Sequence, residues 1–301
     1  MLTLRLEDGA KIRVEALRED ETVERGKVLH SVEKAHPHLG EDGIYHTETG
    51  GTPLPEGAIL TFGLAGNQNC GKTTLFRLML GSIPISGGSI RIDGRNTKDL
   101  TPKALANLIA YIPQYHTPIF DYTVLDVVVM GRASHFSSFD TPKAIDREAA
   151  FAALEKVNAL HLANKKYTAL SGGQRQLILI ARAICQAAKV FVMDEPAANL
   201  DYANHQLLME VVTDLAKKGY CVVMSTHSPE HPASIGSKVL LMKSGTVAGF
   251  GHPKQVITPD NLKSVYDIEM DVITIHDRYG VERTICLPVK DPKSDRRTCL
   301  V

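Results

Sequence analysis

The stretch Gly66-Asn67-Gln68-Asn69-Cys70-Gly71-Lys72-Thr73-Thr74 sets two glycines around four intervening residues and follows them with a lysine and two hydroxyls. That spacing suits a phosphate cradle. Phosphates need several donors at close range and a compact positive charge. Gly66 and Gly71 let the backbone curl so that peptide N–H groups converge, and a helix opening near Lys72 adds its positive dipole end. Lys72 is then the residue that reaches the β- and γ-phosphates, and Thr73 offers its hydroxyl to Mg²⁺. Nothing in these letters distinguishes ATP from GTP.

Two further segments carry the right chemistry. Lys189–Pro196, "KVFVMDEP", is an apolar strand that ends in acids. Asp194 suits the Mg²⁺ shell, and Glu195 suits a general base that polarises an attacking water. Residues 169–176, "ALSGGQRQ", open another helix. Ser171 is a good N-cap, and Gly172 and Gly173 leave the first-turn amides bare, which makes a second anion-binding surface.

These residues need elements to hold them. From Ala58 onward strands and helices alternate. "AILTFGLAG" reads as a buried strand running into the phosphate loop, "KTTLFRLMLG" as a helix stopped at Gly81, and "GGSIRIDG" as a short strand. Residues 122–165 read as mostly helical. "SGGQRQLILIARAICQA" reads as a helix with Leu177, Ile180, Ala181 and Ile184 on one face, and "YANHQLLMEVVTDLAKKG" as a helix with Lys217 and Lys218 in its last turn and Gly219 beyond. "YCVVMSTH" and "KVLLMKSG" are further strands. This alternation predicts an α/β fold with a mostly parallel core sheet covered on both faces. Residues 1–56 have another texture, rich in Glu, Gly and His, with order expected only at 2–16, as a hairpin turning at Asp8-Gly9 or a short helix. The expected division is an atypical segment at 1–56, the main domain at 57–255 with a helical part at about 115–170, and a C-terminal extension at 256–301.

Composition removes other classes. Formal net charge is zero, so no global field draws the chain to nucleic acid or an anionic membrane. No window approaches an uninterrupted membrane span, and the opening "MLTLRLEDGAKIRVE" is too charged for a signal peptide. The five cysteines (70, 185, 221, 286, 299) lack paired spacing and suit reduced thiols. His30, His36, His38 and His46 lie in an irregular segment without ligand spacing and are read as solvated.

"LSGGQ" at 170–174 resembles the signature of ATP-binding cassette (ABC) ATPases, and other segments agree in order and spacing. "YIPQ" supplies a Q-loop glutamine, Gln114; "EPAANLD" looks like the D-loop ending at Asp201; "STHSP" carries a switch histidine, His227. The resemblance covers roughly 72–290. "DLTPKALA", "IPQYHTPIFDYTVLDVVVMGRASH" and "MDEPAANLD" are similar to importers of iron chelates, haem and cobalamin. It implies a P-loop ATPase working as a head-to-tail pair, with each ATP between the phosphate loop of one subunit (Gly66, Asn67, Gln68, Asn69, Cys70, Gly71, Lys72, Thr73, Thr74) and Ser171, Gly172, Gly173 and Gln174 of the other, near Asp201. Gln114 completes the Mg²⁺ shell with Thr73 and Asp194, and His227 holds the γ-phosphate and water against Glu195. It also implies transmembrane permease partners docked on 115–165, a substrate-binding protein, no nucleic acid, and a place on the cytoplasmic face of the cell membrane.

The segment before the phosphate loop departs from that pattern. Tyr45 is the only nearby aromatic for stacking on adenine, and its flanks do not match. "LTFGLAGNQNCGKTTLF" resembles the ferrous-iron transport protein B GTPase, and "LTLRLEDGAKIRVE" its companion, protein A. This suggests a fusion with its seam near 72–80, either functional or impaired. A GTP switch is disfavoured, since D-x-x-G after a switch loop and N-K-x-D are both missing. A soluble ABC ATPase acting on nucleic acid usually carries two cassettes or coiled coils, which this chain lacks.

Overall fold

The computed structural model describes residues 61–67, 70–85, 89–93, 95–114, 121–135, 141–198 and 200–289. In chain order these form β1 (Thr61–Ala65), α1 (Lys72–Met79), β2 (Arg91–Ile92), β3 (Arg95–Asn96), α2 (Pro102–Leu108), β4 (Ile109–Ile112), α3 (Val124–Val129), α4 (Ala144–Lys156), α5 (Gly172–Cys185), β5 (Val190–Met193), α6 (Tyr202–Lys217), β6 (Cys221–Thr226), α7 (Glu230–Ile235), β7 (Lys238–Lys243), β8 (Thr246–Gly251), α8 (Pro253–Val256), α9 (Pro259–Tyr266), β9 (Met270–His276) and β10 (Glu282–Pro288). The readings of 1–56, including Tyr45, the four N-terminal histidines and the order at 2–16, lie outside the described residues, as does the aromatic stretch 115–120.

Local chemistry sets the helix starts. Thr101, Thr123, Ser171, Asp201 and Thr258 each accept a backbone N–H of the first turn, satisfying donors that the helix leaves unpaired. Pro102 and Pro259 take the first helical position, where a missing N–H costs nothing.

The chain divides into two compact units, one built mainly from Thr73–Ser225, the other from Phe62–Lys72 with the segment from Thr226 onward. In the first unit β4, β5 and β6 are parallel in that order, with Ile112 level with Met193 and Met193 level with Met224. β5 and β6 are buried throughout, the apolar run expected of a strand covered on both faces. α3, α4 and α5 pack on one another. The single apolar face expected for α5 is too narrow: Ile178, Leu179, Ala183 and Cys185 are buried along with Leu177, Ile180 and Ala181. A helix enclosed by neighbours on several sides is apolar nearly all round.

In the second unit β1 runs parallel to β7 and β8 returns antiparallel. Ala65, Val239, Leu241, Val256, Ile257, Leu262 and Val265 form its core, and Met270, Val272 and Cys286 of the β9–β10 hairpin pack against them. The strand leading into the phosphate loop thus shares one apolar cluster with the C-terminal segment.

Candidate nucleotide site

The phosphate loop belongs to the second unit. Gly66 has φ +155°, and a Cβ there would lie 2.3 Å from the Met242 carbonyl oxygen and 2.8 Å from Cys70 Sγ. Gly71 has φ +101° beside Gly245. Gly66 therefore excludes a side chain by space, and Gly71 disfavours one by its backbone conformation. Lys72 is buried, and its Nζ donates to the carbonyls of Gly66 at 2.7 Å and Asn67 at 3.0 Å, with Cys70 Sγ at 3.6 Å. The ammonium thus sits inside the curl of the loop, held by groups that a phosphate oxygen can replace. The Gly245 N–H, in the turn between β7 and β8, donates to the Cys70 carbonyl at 2.9 Å. Asn67 Nδ2 donates to the Val265 carbonyl of α9 at 3.2 Å. Burial, then the neighbouring Cys70, lifts the Tyr266 phenol well above its usual range. Gln68 and Asn69 lie outside the described residues.

The first unit holds a hydrogen-bonded cluster at the ends of its three parallel strands. Thr73 Oγ1, in the first turn of α1, donates to Asp194 Oδ2 at 2.8 Å. Ser225 Oγ, near the end of β6, donates to Asp194 Oδ1 at 2.7 Å and accepts the Glu195 N–H at 2.8 Å. Gln114 Nε2, just past β4, donates to Glu195 Oε2 at 2.8 Å. Tyr111 of β4 is pushed up to about 12 by burial, by the Asp194 carboxylate and by its hydrogen bond to that carboxylate. Glu195 has φ +43°, a left-handed conformation uncommon outside glycine. The structure brings together Thr73, Gln114, Asp194 and Glu195, all picked from sequence. Thr74 is exposed on the first turn of α1.

Thr73, Asp194 and Gln114 offer hydroxyl, carboxylate and amide oxygens, the hard donors that Mg²⁺ prefers. Among the described residues no group of three or more His, Cys, Asp or Glu side chains is arranged for a metal ion.

The remaining candidates stand apart. Ser171 caps α5 by accepting the Gln174 N–H at 3.3 Å, and the Gln174 side chain accepts the Ser171 N–H at 3.1 Å. The cap thus engages the N–H groups of Ser171 and Gln174 and spends the Gln174 side-chain oxygen. Gly172 is exposed, and a Cβ there would meet nothing within 4 Å. Asp201 caps α6 through the Asn204 N–H at 2.8 Å. His227 is exposed just beyond β6. Sequence reasoning missed Tyr111 and Ser225. Both are strand hydroxyls within three residues of Gln114 or His227: Tyr111 lies among apolar neighbours and Ser225, with Thr226, ends an apolar run. It missed Val265, Tyr266 and Gly245 because their bearing on the loop is tertiary.

The family model for ABC transporters matches residues 54–198, beginning upstream of the phosphate loop. The molybdate import ATP-binding protein MolC of Haemophilus influenzae is 37% identical over 218 residues, 72% of this chain and 80% of that protein. The iron(3+)-hydroxamate import ATP-binding protein FhuC of Bacillus subtilis is 30% identical over 248 residues, 82% of this chain and 86% of that one. A solved metal-chelate type ABC transporter in an inward-facing conformation has 34% identity, covers 77% of this chain and 86% of its own, and superposes with a TM-score of 0.69. The chain belongs to the ATP-binding proteins of ABC transporters. It has their P-loop NTPase fold, with a mixed, mostly parallel sheet and helices, and it is an ATPase that binds nucleotide to drive transport.

Proposed function

We propose that this chain is the ATP-hydrolysing subunit of an importer for an iron chelate or a similar metal complex. The observation that carries the reading is the cluster joining Thr73, Asp194, Ser225, Glu195 and Gln114. Lys72 supplies a compact positive charge for the β- and γ-phosphates, and the loop amides and the start of α1 supply oriented donors. Thr73, Asp194 and Gln114 would hold Mg²⁺, which supplies charge neutralisation at the phosphate oxygens. Glu195 accepts a proton from the water aimed at the γ-phosphorus. His227, which follows β6, holds that water and the γ-phosphate in line. Catalysis is then positioning plus stabilisation of developing charge.

The dimer reading is supported by Gly172. It is exposed, and among the described residues a Cβ there would meet nothing within 4 Å outside its own helix turn. A glycine that its own fold does not require suits close approach by an outside group. In the proposed head-to-tail pair that group is the γ-phosphate bound by the partner, met by Ser171, Gly172 and Gly173, with Asp201 at the seam. Closure on ATP and opening after hydrolysis would move a transmembrane permease at the cytoplasmic face of the membrane, fed by a substrate-binding protein. Among the described residues no helix is long and apolar enough to cross a membrane. The relatives named above are named for import of molybdate and of iron(3+) hydroxamate, so metal-containing anions and chelates are the cargo class to assay first.

The resemblance of residues 1–78 to ferrous-iron transport proteins rests on their letters alone and makes the second reading a fusion that binds nucleotide but transports poorly. The test is purified full-length chain with Mg-ATP and Mg-GTP. Saturable ATP hydrolysis, lost when Glu195 becomes Gln, supports the first reading. Nucleotide binding without turnover in the unmodified chain favours the second.

A further inference from the structure

We infer that Ser225 is a positioning residue for ATP hydrolysis, acting on Glu195 through its main chain and on Asp194 through its carboxylate. Ser225 is fully buried at 0% exposure. A serine hydroxyl has one proton to give and lone pairs to accept with. Here both capacities are used on consecutive residues: the proton goes to Asp194 Oδ1 at 2.7 Å, and the oxygen accepts the Glu195 N–H at 2.8 Å.

Two consequences follow from the geometry. The first concerns Asp194. Its Oδ1 is engaged by Ser225 and its Oδ2 by Thr73 at 2.8 Å. The two hydroxyls approach opposite oxygens, so Ser225 fixes the rotation of the carboxylate that presents Oδ2 toward the first turn of α1. The second concerns Glu195. Its backbone holds φ +43°, and such a conformation persists only where surrounding contacts over-determine it. The Ser225 hydroxyl is the acceptor for that peptide, while Gln114 Nε2 holds the far end of the side chain at 2.8 Å. Glu195 is thereby gripped at both ends. Ser225 also stands two residues before His227 on the same chain, so the strand that leads to the proposed switch histidine is tied to the proposed base. Alanine at this position can neither donate nor accept, so the Glu195 N–H and Asp194 Oδ1 each lose this bond.

The inference rests on Glu195 being the base, and the test keeps the two ideas separate. Full-length Ser225→Ala and Ser225→Thr are compared with the unmodified chain, each alone and in the Glu195→Gln background, at saturating Mg²⁺. Folding is checked by urea unfolding, and Ser225→Cys, whose thiol is a weak donor and acceptor, replaces either variant that does not fold. Ser225→Ala is expected to lower kcat roughly tenfold or more with KM for ATP within about threefold, as misplacement of a reacting group does. Ser225→Thr, which keeps the hydroxyl, is expected to recover most of the loss. In the Glu195→Gln background Ser225→Ala should lower the residual rate by a clearly smaller factor, because the share of its effect that passes through Glu195 is already lost and residues acting as a unit are not additive. A wild-type kcat in Ser225→Ala overturns the inference. So does an equal loss in the Glu195→Gln background, or a folded Ser225→Thr as slow as the alanine. If Glu195→Gln itself hydrolyses ATP normally, it is the base assignment that fails.

Discussion

The side-chain amide of Gln114 donates to the Glu195 carboxylate at 2.8 Å, across 81 residues of sequence. β4 and β5 are parallel and set Ile112 level with Met193, so the two residues leave the sheet at the same end. A donor at that distance orients the carboxylate. Gln114→Ala should therefore lower hydrolysis about tenfold through loss of orientation, with Mg-ATP still bound. Phosphate release and a nucleotide-binding titration on the same sample check this, and an unchanged rate would remove Gln114 from the mechanism.

Glu195→Gln keeps the shape of the side chain and removes the base. Turnover should fall by about 10²–10⁴, the usual contribution of general base catalysis. Binding should survive: Mg-ATP at a hundredfold over its dissociation constant should still stabilise the folded protein by about 2.7 kcal/mol. Thermal unfolding with and without nucleotide reads this directly, and undiminished phosphate release would count against the assignment.

Gly66 and Gly172 make opposite predictions. Gly66→Ala puts a Cβ 2.3 Å from the Met242 carbonyl oxygen at φ +155°. It should cost about 1–3 kcal/mol of stability as stored backbone strain, along with nucleotide binding. Gly172→Asp places a carboxylate in open space at the first turn of α5. There the helix dipole favours a negative charge by about 0.3–1 kcal/mol, so the fold should be as stable or more so. Hydrolysis should nevertheless fall steeply, because the same charge repels the γ-phosphate of a partner-bound ATP. Urea midpoints and phosphate release separate the two, and a fully active Gly172→Asp would argue against the dimer site.

Alkaline pH should weaken the fold. Burial pushes the Cys185 thiol up to about 11 and the Cys221 thiol up to about 12. Burial, together with the Asp194 carboxylate, pushes the Tyr111 phenol up to about 12. In each case the folded state prefers the neutral form. Their contribution is complete below the unfolded values of 9.0 for thiol and 10.0 for phenol, and is lost as pH rises through the folded values. Urea midpoints should hold to about pH 9 and fall progressively above it, less steeply in Tyr111→Phe. A flat profile to about pH 11 would show that these groups titrate alike in both states.

Most elements were legible in the sequence. The strand at Val190–Met193 is an unbroken apolar run and the strand at Cys221–Thr226 opens on one, and the helices at Gly172–Cys185 and Tyr202–Lys217 carry side-chain caps in their letters. α5 was read as one-faced because periodicity detects the dominant stripe, whereas burial on its other sides depends on what α3 and α4 bring. Ser225 and Tyr111 stand out as strand hydroxyls near Gln114 and His227, but which groups they bond is set by the neighbouring strands and not by any local pattern.

The sequence by itself determined the chemistry. Gly66, Gly71, Lys72 and Thr73, the acids Asp194 and Glu195, and the capped glycine turn at Ser171 carry the residue types behind the proposed phosphate loop, metal site and second anion surface, because donor type and backbone freedom are local properties. Only the tertiary structure decided which groups hold those residues in place. Parallel pairing of β4, β5 and β6 brings Tyr111, Gln114, Asp194, Glu195 and Ser225 to one end of three strands. Packing of α9 against β7 and β8 puts the Val265 carbonyl on Asn67 and Tyr266 close to Cys70. Those partners are tens to hundreds of residues away in the chain, and hydrogen bonds of 3 Å or so are set by strand register and helix packing, which no short stretch of sequence contains.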